Sequence, residues 1–446
     1  MKTFLLPCLL ALCASVPAIA ADPPKPKDRN AQVLDDKPTV TKDERWVYND
    51  LEKGKAEAAK TGKPLLVVFR CIPCKACSGF DAAVLQNATD RLKPLMDQFV
   101  CVRIIMANAM DLRQFQFDYD LSFAAFFMNA DGTIYGRYGT RSDQKDTERD
   151  LSMDSFAKAM EASLDLHKKF PANKSSLTAK RGPEPRVARP EEYPTLAKYK
   201  PTLDLEGQVV QSCLHCHQIR DAERVDLRTK NVAISDQVMF PWPMPVVIGL
   251  TLDSKERARV TTVVSGSAAE KAGIKSGDEI VSLDGQPMVS IADVQFVLHH
   301  APASGATIAA TIKRGEAAKN VSLVLADGWR RVSDISWRAT SWEFRRMGLG
   351  GMLSADLNDE ERKAAGLDTK QMALVLKHVG EYGEHAVAKN AGFRKGDVII
   401  AWDGITARIT ESELLSYAMQ KKKKGDKIAA TILRAGKKMD LTLTMP

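Results

Sequence analysis

Histidine and cysteine are scarce in these 446 residues, with seven of the first and eight of the second. So few cysteines in so long a chain exclude a fold held together by disulfide staples, because a chain of this length buries enough apolar surface without them. Long apolar runs are missing too. The run at residues 4–16 falls short of the ~20 apolar residues that a membrane-spanning helix needs, and nothing later approaches it, so no integral membrane span is expected. Charge of one sign does not dominate: 64 basic against 56 acidic residues leave a net charge of +8. Its one dense run, Lys421 to Lys424, reads as a solvated helix end, and no nucleic-acid partner is expected.

Lys2, the apolar run and Ala18-Ile19-Ala20 form a secretory signal peptide over residues 1–20, so the expected location is periplasmic or otherwise extracytoplasmic. Cys8 and Cys13 leave with it, and Leu12 before Cys13 argues against a lipid anchor. The remaining thiols, Cys71, Cys74, Cys77, Cys101, Cys213 and Cys216, crowd into two short motifs around one isolated residue. Clustering of this kind points to chemistry rather than scaffolding.

The periodicity divides the chain. Residues 21–43 are polar and Pro-rich and are expected to be a disordered leader. Over residues 44–170 helical patterns alternate with the apolar runs "PLLVVF", "FVCVRII" and "AAFFM", which predicts an α/β domain with buried strands. Residues 171–201 are expected to be a linker, residues 202–244 a short and mostly helical segment, and residues 329–345 a second linker. Between and after them lies a repeat, since "AGIKSGDEIVSLDG" at 272–285 returns as "AGFRKGDVIIAWDG" at 391–404, and "AATIKR" as "AATILR". Two related α+β modules follow, at 245–328 and 346–446.

"GKPLLVVFRCIPCKACSGFD" resembles the thioredoxin superfamily, in which a buried strand ends in Phe and a Cys-x-x-Cys opens a helix. The resemblance implies a thioredoxin-like fold and possession of a thiol–disulfide pair, with Cys74 as nucleophile and Cys77 as the resolving thiol. Cys71 extends the motif, so Cys71 and Cys74 form a competing pair, and Cys71, Cys74 and Cys77 together form a candidate iron-sulfur or other metal site. The superfamily's cis-proline is replaced here by Phe123.

Cys213-Leu214-His215-Cys216-His217 has the spacing that attaches c-type haem, and the segment is similar to small cytochromes c. Covalent haem c is therefore expected on Cys213 and Cys216, with His217 as axial ligand of the iron and Met239 or Met244 as the distal one. A zinc site or a Cys213–Cys216 disulfide competes with it.

The repeated modules resemble the PDZ domains of HtrA-type proteases, which are β-barrel or sandwich folds that bind polypeptide C-termini or extended peptides. The resemblance implies carboxylate-binding loops at Gly249, Leu250, Thr251 and Leu252 and at Gly348, Leu349, Gly350 and Gly351, with groove helices at 292–300 and 411–420. No Gly-Asn-Ser-Gly-Gly stretch is present, so no protease domain is implied. The expected whole is an exported redox protein combining thiol, haem and peptide-binding sites, with a redox partner protein. The rival is a non-catalytic envelope scaffold that tethers polypeptides while its cysteines are structural.

Overall fold

The computed structural model describes residues 28–86, 90–146 and 148–446. The signal peptide and residues 21–27 of the leader lie outside them. The first sheet orders its strands Trp46–Tyr48, Val100–Ile104, Leu65–Arg70, Phe123–Met128 and Ile134–Tyr138, the first three parallel and the last two antiparallel. Every residue of Leu65–Arg70 is buried, which explains its unbroken apolar run: both faces are covered. Alternation sends Leu66 and Val68 to one face, under Phe80 and Val84 of helix Ser78–Leu85 and Phe156 and Met160 of helix Met153–Lys168. Leu65, Val67 and Phe69 point the other way, toward Ala58 of helix Leu51–Thr61.

That second face is completed from far along the chain. Tyr193 and Leu196 of the expected first linker, then Leu214, Ile219 and Ala222 around helix Cys216–Thr229, enter the same core as Phe126 and Phe117. Burying each such large apolar side chain contributes about 1.5–3 kcal/mol. Residues 202–244 are helical at Val209–Ser212, Cys216–Thr229 and Asp236–Met239, and they form a layer of the first domain rather than a unit of their own. The expected linker 171–201 is likewise packed: Leu177 is 2% exposed, and Lys180, fully buried, pairs with Asp293 at 2.9 Å.

The expected leader disorder does not hold over residues 28–40. Asp28 caps helix Arg29–Val40 through Asn30 N–H, Val33 and Val40 are buried, and Asp36 accepts from Arg103 Nε and Nη2 and from the Tyr48 hydroxyl. Two apolar anchors and one carboxylate hold a segment too polar to show helical periodicity.

The first repeat module has a sheet ordered Ala317–Leu325, Ala306–Arg314, Glu279–Leu283 and Gln286–Pro287, a hairpin of Leu250–Leu252 with Val260–Val263, and helix Ile291–His300. Its successor has one sheet, Met352–Asp356, Leu374–Val379, Val398–Trp402, Lys427–Arg434 and Lys437–Thr444, with helix Glu411–Lys421. The repeat extends to its ion pairs. Arg314 binds Asp278 and the Gly273 carbonyl, as Arg434 binds Asp397 and the Gly392 carbonyl. Each module also turns through an Asp-Gly pair with both residues at positive φ, Asp284-Gly285 and Asp403-Gly404. The expected linker 329–345 is a packed connector, with Trp329, Ile335, Trp337 and Arg338 all buried.

Candidate functional site

Strand Leu65–Arg70 delivers its last residue and the first cysteine to the sheet edge. Arg70, 4% exposed and paired with Asp81, donates to the carbonyls of Cys71, Cys74 and Ser122. Cys71 N–H donates to Ser122 O at 3.0 Å, and Cys74 N–H to Cys71 O at 3.2 Å. One buried guanidinium thus grips the loop that carries both thiols. Cys71 and Cys74 are joined in a disulfide with Cα atoms 5.5 Å apart.

Of the two overlapping pairs, the structure takes Cys71–Cys74, and the pairing of Cys74 with Cys77 implied by the resemblance is not the one formed. Helix Ser78–Leu85 begins late, leaving Cys77 as its N-cap at φ +57°, 1% exposed and turned inward. Burial pushes the Cys77 thiol up, against the opposing effects of Ser122 and Arg70. Phe123, at the position usual for proline, turns into the core and meets Phe80 edge-on at 5.0 Å.

The second motif arrives at the same place. Asn108, in the loop after strand Val100–Ile104, accepts from Leu214 N–H at 2.8 Å and donates to the carbonyls of Ser212 and Lys200, while Ala107 N–H donates to Leu214 O. This clamp fixes residues 212–214 on the first domain. His215 then lies with Nδ1 3.2 Å from Cys71 Sγ, and its backbone N–H donates to Gln218 Oε1 at 2.8 Å. Its ring stacks on His217 at 5.8 Å, and His217 faces Asp221 at 3.7 Å. Burial first, then repulsion from His217 and Arg29, lowers the His215 pKa to about 4, so the imidazole is neutral at ordinary pH. The ligand atoms that gather within 4.8 Å of one another are those of Cys71, Cys74 and His215; the expected trio with Cys77 is not the one assembled. His215, a mere spacer within the haem spacing, was missed from the sequence because its partner is 144 positions away.

Cys213 is 2% exposed with Sγ 3.6 Å from Ile105 O, and burial pushes both Cys213 and Cys216 up to about 12. Leu214 between them is fully buried. A porphyrin bonded to both sulfurs would have to lift this loop off the sheet. Met239 is fully buried in the core of the second repeat module, and Met244 accepts from the Thr140 hydroxyl at 3.3 Å. As placed, these residues do not fit a haem.

Gly249, at φ +86°, leaves no room for a Cβ, which would fall 2.1 Å from that of Ser267. Leu250, Thr251 and Leu252 follow it into the hairpin and line a groove of about 540 Å³. Val246 and Ile291 form its apolar wall, while Arg149 of the first domain and Trp337 of the connector face them. The expected groove helix is mostly covered: Ser290 Oγ donates to Arg137 O, Thr140 Oγ1 to Gln295 Oε1, and Arg137 lies 3.7 Å from the Phe296 ring centre. At the second expected loop, Gly348 and Leu349 close helix Ser341–Leu349, and Gly350 and Gly351 take φ +59° and +88°. That helix packs on helix Glu411–Lys421, with a Gly348 Cβ falling 3.1 Å from that of Ala418, and Glu411 takes Arg345 and the Ser354 N–H. Helix Ser341–Leu349 therefore covers the helix at which a second groove was expected.

Residues 46–130 match the family described as Thioredoxin-like, and residues 259–308 match the PDZ domain family. The chain therefore carries a thioredoxin-like domain and a PDZ domain. Among curated proteins it is similar to probable periplasmic serine endoproteases described as DegP-like. One from Pseudomonas fluorescens is 27% identical over 194 residues, covering 44% of this chain and 39% of that protein. One from Pseudomonas putida is 30% identical over 160 residues, covering 33% and 29%. The chain thus spans 39% and 29% of their lengths. Among solved structures it is similar to the HtrA-type protease AlgW with a decapeptide, at 19% identity and TM-score 0.19 over 31% of this chain and 48% of that one. AlgW with a tripeptide gives 14% and 0.21 over 42% and 60%. No helix among the described residues is long and apolar enough to cross a membrane.

Proposed function

We propose that this is an exported thiol–disulfide exchange protein that holds a polypeptide at its first PDZ module while Cys71 and Cys74 exchange with a disulfide or dithiol. The observation that carries this reading is the Cys71–Cys74 disulfide with the His215 imidazole 3.2 Å from Cys71. In the reduced state, the neutral His215 imidazole donates Nδ1–H to the Cys71 thiolate, whose proton has gone to solvent, and Cys71 sulfur attacks one sulfur of the substrate disulfide. The other substrate sulfur leaves as a thiolate and takes up a proton. Cys74 then attacks Cys71 in the mixed disulfide, restoring the Cys71–Cys74 bond and releasing the second substrate thiol. The net step oxidises one dithiol and reduces one disulfide, and it runs in either direction.

The second module repeats the sequence motif, the Asp-Gly turn and the Arg–Asp pair of the first and is read as a second PDZ domain whose groove is occupied from within. Export agrees with the periplasmic location ascribed to the DegP-like relatives. The test is trapping: full-length Cys74→Ser, reduced and offered a disulfide-containing polypeptide, should accumulate a mixed disulfide at Cys71, and His215→Ala in that background should slow its formation. Absence of the adduct removes the exchange reading and leaves the scaffold. A pyridine haemochrome spectrum of protein made beside haem-attachment machinery decides the haem question, because covalent haem lost in Cys213→Ala would replace this reading.

A further inference from the structure

The two cysteine motifs converge on three soft or borderline donor atoms. Cys71 Sγ, Cys74 Sγ and His215 Nδ1 lie within 4.8 Å of one another, drawn from a strand-end loop and a helix N-cap loop far apart in sequence. Both loops are held from behind. Arg70 binds the carbonyls of Cys71 and Cys74, while Asn108 and Gln218 fix the backbone of Leu214 and His215. Ligands positioned this way need little rearrangement to close on an ion.

Two sulfurs and one imidazole nitrogen form a three-atom, sulfur-rich set. A closed zinc site takes four ligands, whereas monovalent copper is soft and suited to thiolate donors. Cys216 borders the same small cavity but packs against the core of the sheet. We infer that the reduced chain binds one Cu(I) ion through Cys71, Cys74 and His215, and that closing the Cys71–Cys74 disulfide abolishes the site. Opening the disulfide takes two electrons and two protons from an external dithiol. Copper then displaces the two thiol protons while remaining monovalent. The inference concerns ion capture and does not require turnover of a polypeptide disulfide.

The test uses full-length protein reduced with dithiothreitol, freed of reductant under nitrogen and titrated against the coloured Cu(I)–bicinchoninate complex. Reduced protein should withdraw one equivalent of copper, and diamide-oxidised protein less than about a tenth of that. Cys71→Ser should lose the site and His215→Ala should weaken it by about tenfold or more, each with an unchanged far-UV circular dichroism spectrum. The double variant Cys213→Ser/Cys216→Ser should still withdraw its equivalent. Equal uptake by reduced and oxidised protein, loss of uptake in the double variant, or uptake of Zn(II) in preference to Cu(I) overturns the assignment. Failure to bind copper by protein that still traps a mixed disulfide overturns this site alone and leaves the exchange reading standing.

Discussion

Gly136 lies in edge strand Ile134–Tyr138, where a Cβ would fall 1.9 Å from Val289 Cγ2 and 2.9 Å from Asp293 Oδ2. Both neighbours belong to the PDZ module, so a single methyl group forces the two domains apart. Gly136→Ala is expected to cost about 1–3 kcal/mol, read as a lower urea midpoint at unchanged slope. A different residue-scale expectation concerns the thiols. Cys77 is buried and outside the disulfide, so Cys77→Ala should keep insulin reduction within about twofold of the parent, whereas Cys71→Ser abolishes it. The motif "CIPCKAC" displays both possible pairs and nothing in its spacing chooses between them. The choice is made by Arg70, which grips the Cys71 and Cys74 carbonyls, and by a helix that starts only at Ser78. A buried guanidinium four positions from its acceptor leaves no periodic trace.

Helix Ile291–His300 ends in two histidines that are charged only at a penalty. Burial, then repulsion from His300, Arg220, Arg330 and Arg338, holds His299 well below its usual pKa, while its ring stacks on Trp242 at 4.6 Å. Burial, with Arg137 and Arg330 adding to it, lowers His300 to about 4 against the pull of its bond to Phe296 O. Both folded values lie below the unfolded one near 6.5, so the unfolded chain binds more protons in this interval. Their contribution is complete above about pH 6.5 and is lost as pH falls toward 4. The melting temperature should drop across that window, and the double variant His299→Asn/His300→Asn should show a shallower drop; parallel curves would sink the assignment. Elements were legible where the chain obeys a period. "PLLVVF" announced the central strand, and the repeated "AGIKSGDEIVSLDG" announced two modules whose ion pairs prove to match. Helix Arg29–Val40 was illegible because it buries only Val33 and Val40 and carries Pro38. The spacing of Cys213 to His217 carries no sign of the tertiary clamp, Asn108 on Leu214, that lays this motif on the first domain.

At the scale of the whole molecule, charged side chains sealed from water join segments that read as separate units. Lys180 and Arg137 both face Asp293 of the PDZ module, at 2.9 and 3.8 Å, tying the first domain and its packed strap to helix Ile291–His300. Arg338 of the connector, 4% exposed, donates to Asp118 at 2.7 Å, to Asp120 at 3.1 Å and to the Pro241 carbonyl. Asp120 also accepts from Thr340 N–H and Oγ1, so the end of the connector that leads into the second repeat module is anchored to the thioredoxin-like domain. Buried pairs of this kind add little over an apolar replacement of the whole set, but removing one partner strands the others. Arg338→Leu leaves Asp118 buried without its cation and Asp120 facing only the more distant Arg220, at 3.9 Å, and should cost about 3–5 kcal/mol. The consequence reaches beyond stability, because the connector is what couples the last module to the rest. Wild-type protein should melt in one calorimetric transition whose van't Hoff and calorimetric enthalpies agree. Arg338→Leu should split it, with the second repeat module unfolding apart from the remainder, and adding Asp118→Asn and Asp120→Asn should recover part of the loss by removing the unpaired charges. A single unsplit transition for Arg338→Leu, within about 1 kcal/mol of the parent, would mean that apolar packing around Trp337 and Ile335 holds the connector and that the buried charges do not.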